Sequence, residues 1–204
     1  MDKGLLVKNN IHGRLYEDIL EIAEDDINWQ ELTGKKILIT GAAGFIMYHL
    51  VTAMLLRNDM YIEEEGAKLR VIGMVRNMER AKAKYGALVE RDDFLLIQQD
   101  VCSEFKISET VDIVIHAASQ ASAWYFENDP VGTINANLVG TMNALEFARK
   151  NEARTLIVSS LKIYGAVTDG SRELTEEAQG YLDIDSYKNC YAMGKRAAET
   201  LAAS

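Results

Sequence analysis

The run Lys36-Ile37-Leu38-Ile39-Thr40-Gly41-Ala42-Ala43-Gly44-Phe45-Ile46-Met47 constrains the fold of this chain more than any other stretch. An apolar run of strand length enters a glycine turn and leaves it as a helix. In a doubly wound α/β domain, that succession turns backbone N–H groups and a helix N-terminus toward a dinucleotide pyrophosphate. Gly41 can adopt positive φ, and Gly44 lets a phosphate approach the backbone closely. A glycine pattern alone is a weak signal; following a strand and opening a helix is the context that gives it weight. The place of the usual third glycine holds Met47, which predicts either a helix pushed outward or a crowded cofactor, and weakened cofactor binding with it.

Strands and helices alternate through the rest of the chain. Apolar runs predict strands at 36–40, 69–75, 94–98, 111–116 and 155–159, and helices at 44–57, 78–85, 131–151 and 186–203. Continuous apolar strands separated by helices imply a parallel sheet covered on both faces. The fold class read here is α/β, a Rossmann-type doubly wound sheet. Residues 1–34 precede the first strand as an N-terminal extension, and 35–204 form the dinucleotide-binding domain. Within the extension, Leu15, Ile19 and Ile22 recur at helical spacing among acidic residues, predicting an amphipathic helix over 14–24 that packs on the domain or a neighbour.

The formal charge of −9 argues against general binding of nucleic acid or an anionic membrane. It does not exclude an anionic ligand, because a few oriented N–H groups outweigh global charge locally. Two cysteines, Cys102 and Cys190, give neither a disulfide framework nor a metal motif, and a reducing cytoplasm is the simplest setting. No run is long and apolar enough to span a bilayer, so no membrane partner is expected.

Candidate ligand-binding residues fall at the carboxyl ends of the strands, where open α/β sheets take their ligands. Arg76 follows the second strand, at the place where an acid selects a ribose 2′-hydroxyl and an arginine pairs with a 2′-phosphate. Asp100, after the third strand, can accept from an adenine amino group. His116-Ala117-Ala118-Ser119 ends the fourth strand with small residues that leave room for a cofactor, and His116 reads as a packed strand-end histidine. Ser159 and Ser160 end the fifth strand, ahead of Tyr164-Gly165. Tyr191 and Lys195 stand at i and i+4 on one side of the last helix. A phenol with an ordinary pKa near 10 is a poor base at neutral pH, and a nearby ammonium favours its phenolate form.

In this order, these segments resemble the extended short-chain dehydrogenase/reductases, the NAD-dependent epimerase/dehydratase family acting on nucleotide sugars. The resemblance runs from about Lys35 onward. It rests on Thr40-Gly41-Ala42-Ala43-Gly44-Phe45-Ile46, Asp100-Val101, His116-Ala117-Ala118-Ser119, Asn137-Leu138-Val139-Gly140-Thr141, Ser159-Ser160 with Tyr164-Gly165, and Tyr191 with Lys195. The stretches 116–122 and 190–200 look most like UDP-glucuronate decarboxylases and dTDP-glucose dehydratases.

The resemblance implies an enzyme that oxidises a sugar hydroxyl through a keto intermediate, with Tyr191 as base, Lys195 as its pKa modifier and ribose ligand, and Ser160 holding the hydroxyl. It implies NAD or NADP as cofactor, held by Gly41, Ala43, Gly44, Phe45, Ile46, Arg76, Asp100, Val101, Ala117, Ala118, Ser119 and Asn137 together with Tyr191 and Lys195. It implies a homodimer formed through the two long helices, 131–151 and 186–203. Decarboxylases and dehydratases of the family carry a glutamate two residues before the tyrosine of the Tyr-Gly pair; Lys162 stands there, which favours oxidation and re-reduction alone. Relatives also continue for roughly another hundred residues that build the sugar-nucleotide subdomain. The expectation is therefore a chain without that subdomain and without turnover of its own. The alternative is a non-catalytic dinucleotide-binding or scaffold protein.

Overall fold

The computed structural model describes residues 11–65, 68–166, 174–178 and 180–204. They fall into two compact units. The first holds the chain up to Asp100 with Lys106–Ala117 and Ala148–Leu156; the second holds Val101–Phe105, Ala118–Phe147 and Ile157–Ser204.

The first unit is built on β1 (Lys36–Thr40), β2 (Arg70–Val75), β3 (Phe94–Gln98), β4 (Ile113–His116) and β5 (Arg154–Ile157). The strands lie in the order β3-β2-β1-β4-β5, and the β1–β2, β1–β4 and β2–β3 pairs are parallel. The chain therefore winds outward from β1 one way to β3, then returns beside β1 to wind the other way. This is the Rossmann-like doubly wound topology, whose switch point lies between β1 and β4. Ile37, Leu38, Ile39 and Thr40 of the central strand are all buried, the reason that run reads as apolar throughout.

Helix α1 (Arg14–Glu24) buries Ile19 and Ala23. It packs on α2 (Phe45–Glu65), where Arg57 donates to the Ala23 carbonyl at 3.1 Å and lies over the rings of Trp29 and Tyr61, at 5.4 and 3.7 Å from their centroids. The described part of the extension is thus packed within the first unit, whereas residues 1–10 lie outside the described residues.

Helix α2 runs eight residues beyond the predicted end at Arg57. Asn58 and Asp59 look like a helix stop because their side chains often compete for nearby backbone. Here they reach elsewhere. Asn58 Nδ2 donates to the Leu69 carbonyl and to Asp93, each at 2.8 Å, and Asp59 takes both terminal nitrogens of Arg91 at 2.8 Å. Arg91 also holds Asp93 at 2.7 Å, tying α2 to the starts of β2 and β3. Met47 is buried and α2 begins at Phe45, so the methionine is absorbed into the core at the start of the helix.

Short α3 (Met78–Tyr85) matches its predicted bounds and is capped by Asn77, whose Oδ1 accepts from the Arg80 N–H at 2.8 Å. The long α5 (Pro130–Asn151) starts one residue early. It follows α4 (Ala123–Asn128), a helix too short for a periodicity to show in the sequence. β5 ends at Ile157, two residues before the predicted end at Ser159, and Ser160 caps a 3-10 turn at Leu161–Tyr164. The last helix also starts later than expected. Tyr187–Asn189 form another 3-10 turn before α6 (Cys190–Ala203).

Candidate active site

In the first unit the glycine turn follows β1 directly. Gly41 has φ +69°, and its N–H and that of Ala42 both donate to the Met74 carbonyl of β2, at 3.0 and 3.3 Å. Gly44 N–H closes back on the Gly41 carbonyl at 2.8 Å, and a Cβ on Gly44 would press on that same oxygen at 3.0 Å. Gly73 in β2 makes room from below: a Cβ there would meet the Cβ of Ala42 at 3.0 Å. The sequence reading passed over this glycine because it sits within a strand rather than in a turn.

The turn is open to a ligand. Gly44 is exposed, Phe45 and Ile46 are 78% and 66% exposed at the first turn of α2, and N–H groups there have no acceptor within the helix. Such a cradle fits a dinucleotide pyrophosphate. Arg76 and Asp100 are exposed beyond the ends of β2 and β3. At the end of β4, His116 is fully buried with Nδ1 2.9 Å from the Thr40 hydroxyl, which also accepts from the Ala117 N–H at 3.1 Å. His116 is a packed histidine that joins the carboxyl ends of β1 and β4 and leaves Ala117 half-buried beside the glycine turn's strand.

The second unit gathers the remaining candidates. Ser119 donates to Asn137 Oδ1 at 2.8 Å, and Asn137, fully buried, donates in turn to the Thr133 carbonyl. Val101 is buried and accepts from Asn143 at 2.8 Å, while Ala118 is half-buried. Lys195 is 3% exposed, and its Nζ donates to the Val158 carbonyl at 2.6 Å. Burial holds the ammonium pKa down to about 8, opposed by the charge of Glu199. The Ser160 hydroxyl accepts from the Lys162 N–H at 3.2 Å, leaving its own proton to be donated. Ser159 Oγ is buried with no hydrogen-bond partner among the described residues.

Tyr191 lines an open cavity of about 500 Å³ together with Phe126, Leu161, Lys162, Lys188 and Asn189. Its ring stacks on Phe126 of α4, with centroids 5.0 Å apart and planes 25° apart. No sequence signal marked Phe126, because α4 was not foreseen. Lys162 lines the same cavity as Tyr191.

Residues 37–204 match the model of the NAD dependent epimerase/dehydratase family. The chain belongs to that family. It is 32% identical over 172 residues to UDP-glucuronic acid decarboxylase 1 of Xenopus tropicalis, covering 82% of this chain and 36% of the relative. It is 34% identical over 166 residues to UDP-glucuronic acid decarboxylase 6 of Arabidopsis thaliana, covering 81% and 45%. The chain therefore spans less than half the length of these curated relatives. Its fold matches that of the UDP-glucuronic acid 4-epimerase from Bacillus cereus in complex with NAD, with a TM-score of 0.63 at 22% identity, over 82% of this chain and 51% of the other. The expected epimerase/dehydratase resemblance and Rossmann-like fold are both borne out.

Proposed function

We propose that this chain carries the NAD-binding and catalytic residues of an epimerase/dehydratase-family enzyme that oxidises a hydroxyl of a nucleotide sugar, the 4-hydroxyl, to a keto intermediate and reduces it again. The observation that carries this reading is Tyr191, which lines an open cavity one helical turn before a buried ammonium. A bound nicotinamide supplies the hydride acceptor and later returns the hydride. The glycine turn with Phe45 and Ile46 binds the pyrophosphate, and Asp100, Val101, Ala117, Ala118, Ser119 and Asn137 line the rest of the cofactor's path. Tyr191 as phenolate takes the hydroxyl proton while the carbon-bound hydrogen leaves as hydride. Ser160 donates to the substrate oxygen and holds it in line. Lys195 stabilises the phenolate by its charge and holds the cofactor ribose.

Relatives named decarboxylases do not by themselves set the outcome here. Lys162 lines the cavity at the place where the decarboxylases and dehydratases of the resemblance carry a glutamate. A cation there is a poor base for a second deprotonation. Oxidation followed by re-reduction, as in an epimerase or a reductase, fits these residues better.

The cofactor is NAD or NADP, with exposed Arg76 supporting the phosphorylated form. The domain division is an extension over 1–34 and the dinucleotide-binding domain over 35–204. Two copies pair through α5 and α6, a reading supported by exposed Val131 and Met142 on α5. The setting is cytoplasmic, in keeping with a sequence that holds only two cysteines.

The test is turnover of UDP-sugars with NAD⁺ by the natural full-length protein and its Tyr191→Phe variant. Removing a general base costs about 10²- to 10⁴-fold in rate. A variant within threefold of the parent sinks the assignment of Tyr191.

A further inference from the structure

The glycine turn is held from outside by a side chain that no motif marks. Lys84, on the last turn of α3, donates through Nζ to the carbonyls of Ala43 at 3.0 Å and Gly44 at 3.2 Å. Its neighbour Tyr85 is buried and donates to the Ala42 carbonyl at 2.7 Å. Three consecutive turn carbonyls are thus taken by two adjacent side chains of α3.

A peptide group is planar and trans, so the N–H lies opposite the carbonyl of the same plane. Fixing the Ala42 carbonyl fixes the direction of the Ala43 N–H, and fixing the Gly44 carbonyl fixes that of the Phe45 N–H. The intervening Gly44 N–H is already spent on Gly41. Tyr85 therefore sets the Ala43 N–H vector, and Lys84, together with the Tyr48 N–H that donates to the same Gly44 carbonyl at 3.0 Å, sets that of Phe45. Lys84 is itself placed by Tyr48, whose ring centroid lies 4.5 Å from Nζ, and Tyr48 is packed 5.1 Å from Tyr85. The arrangement also carries charge. Partial burial and then the positive charge of Arg80, one turn earlier on α3, hold the Lys84 ammonium below its ordinary pKa.

We infer that Lys84 is a positioning residue of the pyrophosphate site: it orients the Phe45 N–H through the Gly44 carbonyl, anchors the turn at the Ala43 carbonyl, and adds one positive charge behind them. This rests on the reading above that the turn binds a dinucleotide. It further implies that the turn in this chain is preorganised by α3, on the opposite side from the helix packing that a third glycine would serve.

Titration calorimetry with NAD⁺ and ADP-ribose on the parent, Lys84→Met and Lys84→Arg, paired with thermal unfolding of each, tests it. Methionine keeps the aliphatic stem over Tyr48 and removes the charge and the donors. The expected result is binding of both ligands weakened about tenfold in Lys84→Met, the scale of one charge-assisted hydrogen bond. Lys84→Arg restores it to within about threefold, and all three unfold at the same midpoint. Binding by Lys84→Met within twofold of the parent overturns the inference, as does weaker binding with a matching loss of midpoint, which would make Lys84 a stability residue. Failure of Lys84→Arg to restore affinity overturns it too. A parent that binds neither ligand refutes the dinucleotide reading itself, and the inference falls with it.

Discussion

A Cβ added to Gly194 would lie 2.9 Å from the Cβ of Asn137, so α5 and α6 meet at a point where only a glycine fits. Asn137 cannot step aside. It is fully buried, accepts from Ser119 and donates to the Thr133 carbonyl. The contact fixes α6 one residue before Lys195 and three after Tyr191.

Gly194→Ala sets two effects against each other. Alanine favours a helix interior over glycine by about 1 kcal/mol, whereas forcing a methyl into a packed contact costs about 1–3 kcal/mol. With Asn137 pinned, the contact wins. The variant should be about 1 kcal/mol less stable than the parent in urea unfolding followed by circular dichroism. A gain in stability would show that α6 moves freely away from Asn137.

How much of this was legible in the sequence depends on where the deciding contacts lie. The glycine turn was legible because turn and strand are local, and so was α3, whose cap Asn77 is the residue just before it. The end of α2 was not: Asn58 and Asp59 look like a stop until their partners Asp93 and Arg91, more than thirty residues away, are in place. Short α4 carries too few residues for a periodicity to show, and Phe126 was missed with it. Lys84 and Tyr85 were invisible for a different reason. Their acceptors are backbone carbonyls, which no side-chain pattern encodes.

The same long-range network gives a second expectation. Asp93 and Arg91 are almost wholly buried, with side-chain exposures of 3% and 8%. Burial alone would raise the Asp93 pKa, but the hydrogen bonds and charge of Arg91 and the amide of Asn58 hold it below its ordinary value. Its folded pKa lies below its unfolded one, so its contribution to stability is present above about pH 4 and is lost as pH falls through the folded value. Asp93→Ala leaves Asp59 as the carboxylate partner of the buried guanidinium and takes an acceptor from Asn58, and should cost about 2 kcal/mol at neutral pH. Urea unfolding of parent and variant at pH 7 and pH 3 checks this. The gap should narrow at the lower pH, and a constant gap would remove the carboxylate from the explanation.

Arg76 bears on cofactor choice. It stands exposed just beyond β2, and its carbonyl is held by Gln98 at 3.3 Å, which fixes where the side chain starts. If its guanidinium pairs with a 2′-phosphate, Arg76→Ala should weaken NADP⁺ binding about tenfold, as expected for loss of a charge-assisted pair, and leave NAD⁺ binding unchanged. Calorimetry with both cofactors decides. Equal losses for the two would assign Arg76 to general attraction of anions rather than to selection.

Lys195 links the candidate site to stability through pH. Its folded pKa is about 8 against an ordinary 10.5, with burial as the cause. This is a depressed lysine, so the sign runs opposite to that of a lysine gaining an acidic partner. Between about pH 8 and 10.5 the unfolded chain holds a proton that the folded chain has released, and stability rises with pH across that window. At about 1.4 kcal/mol for each unit, the rise is of the order of 3 kcal/mol before other groups contribute. Below pH 8 the folded protein keeps the ammonium in place against that penalty, with one good hydrogen bond to Val158 as partial offset. A methionine at 195 removes the titrating group. Lys195→Met should therefore be as stable as the parent or more so at pH 7, and should lack the parent's rise between pH 8 and 10. Urea midpoints of both proteins across that range measure it, and parallel profiles would refute the depressed pKa. A variant that gains stability while turnover of a nucleotide sugar collapses would show what the buried ammonium is kept for: charge held one helical turn from Tyr191 at a cost to the fold.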